Sequence, residues 1–255
     1  MILENALRNK LLSGNPVLGT WQIVPSIELT EVICSSHLDF IVIDMEHGPI
    51  SFETAQKMII VCENMGVTPL VRVSSVSESE ILKSLDIGAH GIHIPNIKNI
   101  SEIRDIVKYS KYSPDGQRGF SPYTRAGNYN AEKSIDLIKN ANSNLLNIIH
   151  LENKDCFENI DELLEIDGID IYFIGLFDLS NSLGLPGDIE NSIVLNFLKK
   201  LVKKIKSKNK SIGTISTSAN FTNKLLDLGI DYITYSVDCD VIRKSYIKII
   251  QNFNN

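Results

Sequence analysis

Short apolar runs rich in β-branched residues alternate along the whole chain with stretches of helical periodicity. Eight runs read as strands: Val17–Val24, Phe40–Glu46, Leu70–Ser74, Gly91–Ile97, Leu145–Glu152, Ile169–Leu176, Ser211–Ser216 and Tyr232–Val237. Phe40-Ile41-Val42-Ile43 is apolar on both faces, as expected of a parallel strand covered by helices. The intervening spacing predicts helices over Glu28–Ser36, Phe52–Met65, Glu78–Ile87, Ile100–Tyr109, Cys156–Ile166, Ile193–Lys208, Ala219–Leu228 and Val241–Asn252. Eight strands each followed by a helix predict an α/β fold, a (β/α)8 TIM barrel, as a single domain over 1–255 with an N-terminal helix before it. Asp86-Ile87-Gly88-Ala89 and Asp227-Leu228-Gly229-Ile230 each place a glycine where a helix must end before a strand. The rhythm breaks at Lys111–Asn142, a long Gly-, Ser-, Asn- and Arg-containing segment before the fifth strand that reads as a functional loop or lid. An open doubly wound sheet is the competing fold. Its first strand-to-helix turn, Gln22-Ile23-Val24-Pro25-Ser26, lacks the glycine-rich phosphate loop that a dinucleotide site needs.

Composition narrows the partners. The 255 residues are 43% hydrophobic and 22% charged, enough for one sizeable core. A formal net charge of −6 argues against a nucleic-acid partner, which requires clustered cations to displace counterions. The basic run Lys199–Lys210 is interleaved with Leu201, Val202 and Ile205 at helical spacing and reads as a solvated helix face. Four scattered cysteines (Cys34, Cys62, Cys156, Cys239) have no metal-type spacing. No apolar run approaches the roughly 18 residues that span a bilayer, and Met1–Leu12 has no continuous apolar stretch of the secretory kind. The expectation is a soluble, cytoplasmic chain with no membrane partner.

Functional groups of a parallel barrel gather at the C-terminal ends of its strands. The second strand ends in Asp44-Met45-Glu46-His47-Gly48-Pro49, the third carries Arg72, the fifth ends in His150-Leu151-Glu152 and the sixth in Gly175-Leu176-Phe177-Asp178. Glu152 and Asp178 lie on adjacent strands, so both carboxylates can reach one ion. A pair of hard oxygen ligands without a soft partner suits Mg2+ or Mn2+, whereas either acid taken singly also fits a helix N-cap. His47, with a model-peptide pKa of about 6.5, is a natural proton carrier, although a strand-end histidine also serves as a structural residue or metal ligand. Asp86, late in the third predicted helix, either orients that imidazole or caps its helix. Arg72 inside an apolar strand calls for an anion, supplied by a neighbouring carboxylate or by a substrate carboxylate. Arg118 and Arg125, in a glycine-rich and aromatic setting, form an anion-gripping lid or carry surface charge. Lys98 and Lys154 lie outside the apolar strands, which favours a metal mechanism over a Schiff base.

Taken in order, these segments resemble the HpcH/HpaI aldolase family of class II, metal-dependent pyruvate aldolases. The resemblance is carried by Asp44–Pro49, Pro69-Leu70-Val71-Arg72, Leu85–Ala89, Arg118-Gly119 with Arg125-Ala126, Leu151-Glu152-Asn153-Lys154, and Gly168-Ile169-Asp170 leading to Gly175–Ser180 and Ser182-Leu183-Gly184. It runs collinearly from about Gly19 to Asp238. It implies reversible cleavage of a 4-hydroxy-2-oxo acid, such as a 2-keto-3-deoxy sugar acid or a diacid, into pyruvate and an aldehyde. It further implies Glu152 and Asp178 as ligands of a divalent ion (Mg2+ or Mn2+, with Co2+ a third option) that pyruvate chelates. Glu46 would face the waters of that ion, Arg72 would bind the keto oxygen, and His47 paired with Asp86 would transfer the proton of the substrate hydroxyl. A homo-oligomer, by resemblance a hexamer, is implied as well.

Two positions depart from the family pattern. His150 stands where glutamine is usual and shares the strand face of Glu152, so it joins the metal shell or alters its basicity. Leu176-Phe177 replaces a small pair that lines the pyruvate carboxylate pocket, so Phe177 either narrows that pocket or turns outward. Two other readings remain: a related lyase acting on an acyl-CoA thioester, and a non-catalytic barrel that binds a 2-oxo acid. Retention of His47 and Asp86 speaks against the latter, because binding alone needs no proton shuttle.

Overall fold

The computed structural model describes residues 4–132, 134–152 and 154–253. Among these, eight strands close into a parallel barrel in chain order, the first pairing with both the second and the eighth. The order is α1 (Ala6–Leu12), β1 (Val17–Gln22), α2 (Ile27–Cys34), β2 (Phe40–Asp44), α3 (Phe52–Asn64), β3 (Thr68–Arg72), α4 (Glu78–Asp86), β4 (Gly91–Ile94) and α5 (Ile100–Ser110). It continues through α6 (Ser134–Asn144), β5 (Leu146–Leu151), α7 (Lys154–Glu158), α8 (Ile160–Leu164), β6 (Ile171–Ile174) and α9 (Leu176–Ser182). The last elements are α10 (Ser192–Ser207), β7 (Ser211–Ser216), α11 (Ala219–Asp227), β8 (Tyr232–Val237) and α12 (Asp238–Phe253). The predicted (β/α)8 barrel is the observed fold.

Strand alternation sorts the core into two layers. Phe40 and Val42 of β2 point into the barrel, where they meet Val17, Trp21, Leu70, Leu146, Ile148, Ile171, Phe173 and Tyr232. Ile41 and Ile43 point outward, onto Ala55, Met58, Ile59 and Cys62 of α3. Side-chain N-caps start several helices: Ser26, Ser51, Asn99 and Ser218 each accept from a backbone N–H of the first turn. Helix α1 closes the N-terminal end of the barrel. Its Leu7 enters the interior cluster, Asn5 donates to the carbonyls of His90 and Asn144, and Arg8 pairs with Asp170.

Several strands end earlier than the hydrophobic runs suggest. Strand β2 stops at Asp44 and β4 at Ile94, so Glu46, His47 and Asn96 stand on the loops above the barrel mouth rather than in the ladder. The expected helix over Cys156–Ile166 is broken into α7 and α8. The segment 111–142 is not all loop, because α6 occupies its end. Its remaining part is stapled to the barrel by Arg118–Asp86 and Arg125–Glu63 ion pairs and by Ala126 N–H donating to the Asp86 carbonyl. Asp86 and Glu63 end or nearly end helices that precede strands, so these staples sit at the N-terminal end of the barrel.

Candidate active site

At the C-terminal mouth, Asp44 is 1% exposed and is the pivot of the second and third strands. Its register partner is Arg72. Asp44 Oδ1 accepts from Arg72 Nε at 2.8 Å and from the backbone N–H groups of Glu46 and His47 at 3.0 and 3.2 Å, while Oδ2 accepts from Arg72 Nη2. One carboxylate thereby fixes both the guanidinium and the turn that carries His47. The Arg72 guanidinium lies 4.3 Å from the centroid of Trp21, whose Nε1–H donates to Thr234 Oγ1 at 2.9 Å. The aromatic face and the fork of acceptors leave the arginine only the mouth as an open side.

Glu46 joins the two halves of the mouth. Its Oε1 accepts from Asn96 Nδ2 at 2.9 Å, and its Oε2 lies 3.2 Å from Arg72 Nη1. That ion pair lacks hydrogen-bond angles, so Glu46 Oε2 is buried with no donor of its own. Asn96, at φ 57°, also gives its backbone N–H to Glu152 Oε2 at 3.1 Å. Glu152 Oε1 lies 3.0 Å from His150 Nδ1. Burial pushes the Glu152 carboxyl up, but the His150 hydrogen bond, the Asn96 amide and Arg72 outweigh it, and the group is held below the ordinary carboxylate value.

Asp178 sits in the first turn of α9, across Gly175 from Glu152. A Cβ built on Gly175 would stand 3.0 Å from Asp178 Oδ2 and 3.1 Å from Glu152 Cγ, so both acidic arms flank one point that only glycine leaves open. Burial and the neighbouring Glu152 charge raise the Asp178 carboxyl. That like-charge pressure is what a bound cation relieves. Among the described residues, no group of three or more His, Cys, Asp or Glu side chains is placed to hold an ion. The donor set is two converging carboxylates with the donorless Glu46 Oε2 nearby. It fits a hard divalent ion that keeps positions for water and substrate.

The structure therefore brings Glu46, Arg72, His150, Glu152 and Asp178 to one mouth. His47 stands at the rim with its side chain 70% exposed and Nε2 3.8 Å from Glu46 Oε2. Asp86 is elsewhere. It accepts from Arg118 Nη2 at 2.7 Å at the opposite end of the barrel, so His47 and Asp86 do not meet within one chain. The physical reason is direction: a helix returning antiparallel to the strands delivers its last residue to the N-terminal end. Arg118 and Arg125 share that end, paired with Asp86 and Glu63, and do not grip an anion at this chain's mouth. Leu176 is fully buried in the core outside the barrel, whereas Phe177 is 50% exposed. His150 is 2% exposed and lies behind Glu152. Asn153 lies outside the described residues.

Sequence reasoning assigned no role to Asn96, Trp21, His93 or Tyr232. His93 was detectable by the logic applied to Arg72, a polar residue at an inward position of an apolar strand. Asn96 was not, because its contact depends on a left-handed turn.

Comparisons with known proteins find relatives along nearly the whole chain. The chain is 30% identical over 248 residues to a hydroxypyruvate/pyruvate aldolase of Rhizorhabdus wittichii, covering 96% of this chain and 97% of that one. It is 30% identical over 244 residues to a 2-keto-3-deoxy-L-rhamnonate aldolase of Klebsiella pneumoniae subsp. pneumoniae, covering 93% and 88% respectively. The crystal structure of the citrate synthase SbnG superposes with a TM-score of 0.87 at 27% identity over 98% of each chain. The model of the HpcH/HpaI aldolase/citrate lyase family matches residues 19–245. The chain belongs to the HpcH/HpaI aldolase/citrate lyase family.

Proposed function

We propose that this chain is a class II pyruvate aldolase that cleaves a 4-hydroxy-2-oxo acid reversibly into pyruvate and an aldehyde, with Glu152 and Asp178 holding a divalent ion. The observation that carries it is the pair of carboxylates flanking Gly175 at the mouth that also holds Arg72. Relatives named as aldolases along nearly the full length support an enzyme over a binding-only barrel.

The ion, when bound, supplies Lewis-acid polarisation of the 2-oxo group. The chain supplies the rest. Arg72, oriented by Asp44 and Trp21, offers guanidinium N–H groups to the 2-oxo oxygen and counters the negative charge that grows there as the C–C bond breaks. Glu46, anchored by Asn96, presents Oε2 towards the same space. His47, at the rim, is positioned by the Asp44-bound turn to take the proton of the 4-hydroxyl and return it in the reverse direction. Asp86 reaches a His47 only from another copy of the chain. The His47–Asp86 dyad and the expected homo-oligomer, a hexamer by resemblance, are thus one proposal. Mg2+ or Mn2+, with Co2+ as a third option, suits the all-oxygen ligands.

The test is a panel of 4-hydroxy-2-oxo acids (2-keto-3-deoxy sugar acids and diacids) assayed with Mg2+ or Mn2+ for pyruvate release by coupled reduction to lactate. Metal-dependent pyruvate formation from at least one is expected. Turnover confined to acyl-CoA thioesters would replace the proposal with the related lyase.

A further inference from the structure

Behind Glu152, a file of buried polar side chains crosses the barrel interior that the reaction above does not use. His150 Nε2 lies 2.9 Å from His93 Nδ1, and His93 Nε2 lies 2.7 Å from the Tyr232 hydroxyl. With His150 Nδ1 at 3.0 Å from Glu152 Oε1, the file runs unbroken from the mouth to the first residue of β8. His93 and Tyr232 are fully buried. The file is built into the packing. His150 stacks on Phe173 with ring centroids 4.8 Å apart, Trp21 meets both imidazoles edge-on, and Tyr232 stacks on Phe40 at 4.3 Å. Gly213 makes the room, because a Cβ there would lie 2.6 Å from Tyr232 Cδ1 and 3.0 Å from Phe173 Cδ2.

Donor counting gives the file a direction. A neutral imidazole has one N–H and one bare nitrogen. With an ionised Glu152, which only accepts, His150 carries its proton on Nδ1 and its bare Nε2 must accept from His93 Nδ1–H. His93 Nε2 is then bare and accepts from the Tyr232 O–H. Every link is satisfied and no group carries an unusual charge. The reverse orientation requires a proton on Glu152 or a second proton on His150. It also leaves the Tyr232 O–H without an acceptor, since among the described residues His93 is the hydroxyl's one hydrogen-bond partner. An orphaned buried donor of this kind is destabilising. The surroundings agree: burial above all, with Arg72 acting the same way, holds the His93 imidazole well below its ordinary value, and burial raises the Tyr232 phenol.

We propose that Tyr232, His93 and His150 form a one-way hydrogen-bonded relay that fixes the Glu152 carboxylate for ion binding, with both histidines locked as their Nδ1–H tautomers. His93 and Tyr232 are positioning residues, acting through His150. The relay pins Oε1 from behind while the Asn96 amide pins Oε2, so the free lone pairs of Glu152 face the mouth. The proposal rests on Glu152 being an ion ligand, and its two readouts separate the relay from that reading.

The first readout is nitrogen-15 NMR of the full chain labelled at histidine, with His93→Gln and His150→Gln used for assignment. Both residues should show a protonated Nδ1 and a bare Nε2. In Tyr232→Phe, which removes the terminal donor, His93 should lose its single tautomer. The second is Mn2+ affinity by electron paramagnetic resonance. Tyr232→Phe and His93→Leu should weaken binding about 10–100-fold, as outer-shell partners of metal ligands do. His93→Gln, whose amide can still donate to His150 Nε2, should recover most of it. Nε2–H or doubly protonated histidines in the unaltered protein would overturn the relay, as would unchanged tautomers and Mn2+ affinity in Tyr232→Phe. Locked Nδ1–H tautomers in a protein that binds no Mn2+ would uphold the relay's direction and defeat both its role and the metal reading.

Discussion

Asp44→Asn isolates the interaction that holds Arg72 in place. The substitution keeps the shape and leaves Oδ1 able to accept from Arg72 Nε and the Glu46 and His47 amides. It replaces Oδ2 with an NH2 group that faces Arg72 Nη2, donor against donor. The lost link is charge-assisted and lies where Asp44 and Arg72 side chains are only 2% and 14% exposed. A hydrogen bond to a charged group contributes about 1.5–3 kcal/mol, and breaking a buried ion pair costs about 3–5 kcal/mol. Glu46, 3.2 Å from Nη1, still offsets part of the arginine charge, so the expected loss is about 2–4 kcal/mol. That leaves most domains folded, given total stabilities of about 5–15 kcal/mol. Urea unfolding should show a lower midpoint at an unchanged slope. With Arg72 free to swing, pyruvate release should fall about 10²–10³-fold, as when one oxyanion donor is removed. A variant within about 0.5 kcal/mol of the unaltered protein, with turnover near normal, would refute the claim that Asp44 positions Arg72.

Gly175→Ala places a methyl group between the two acidic arms, so Mn2+ binding by titration should weaken about 10–100-fold with little change in the unfolding midpoint; unchanged affinity would contradict the placement of Glu152 and Asp178. Mixed oligomers of inactive His47→Ala and Asp86→Asn chains should regain activity if the proposed dyad forms between copies, since some mixed sites would then hold both residues. No recovery on mixing would count against the shared dyad. The Glu63 carboxyl at the other end gives a pH test: burial pushes it up, yet the hydrogen bond and charge of His90 help bring it down to about 2. Its folded value is below the unfolded one of about 4.3, so its stabilisation is present above that pH and is lost as pH falls towards 2. The gap in urea midpoint between the unaltered chain and Glu63→Gln should therefore shrink as pH falls from about 5 to 3. A constant gap would exclude the ionised Glu63 carboxylate as its source.

The barrel was legible because strands such as β2 are apolar on both faces and glycines such as Gly88 and Gly229 mark several helix exits. The charged residues at the mouth were legible for the same reason, since Arg72, Glu152 and Asp178 interrupt or end apolar strands. What stayed hidden depends on contacts between distant segments. The partner of Arg72 was open between a substrate and a carboxylate until the β2–β3 register set Asp44 beside it. That Asp86 does not meet His47 within one chain was equally hidden. The fold places it at the other end of the barrel, against Arg118. Helix α6 was missed because its weak apolar pattern is embedded in polar residues. His93 and Tyr232 are 139 positions apart and are joined only by the closure of the sheet.

The most direct test of the account is exchange of the pyruvate methyl protons in D2O, followed by proton NMR with and without Mg2+ or Mn2+. Exchange reports the pyruvate enolate itself and does not require the natural aldehyde. The account predicts exchange that depends on the ion, is abolished by Glu152→Gln with Asp178→Asn, and falls steeply in Arg72→Ala. An ion-loaded protein that neither exchanges the methyl group nor decarboxylates oxaloacetate would contradict it.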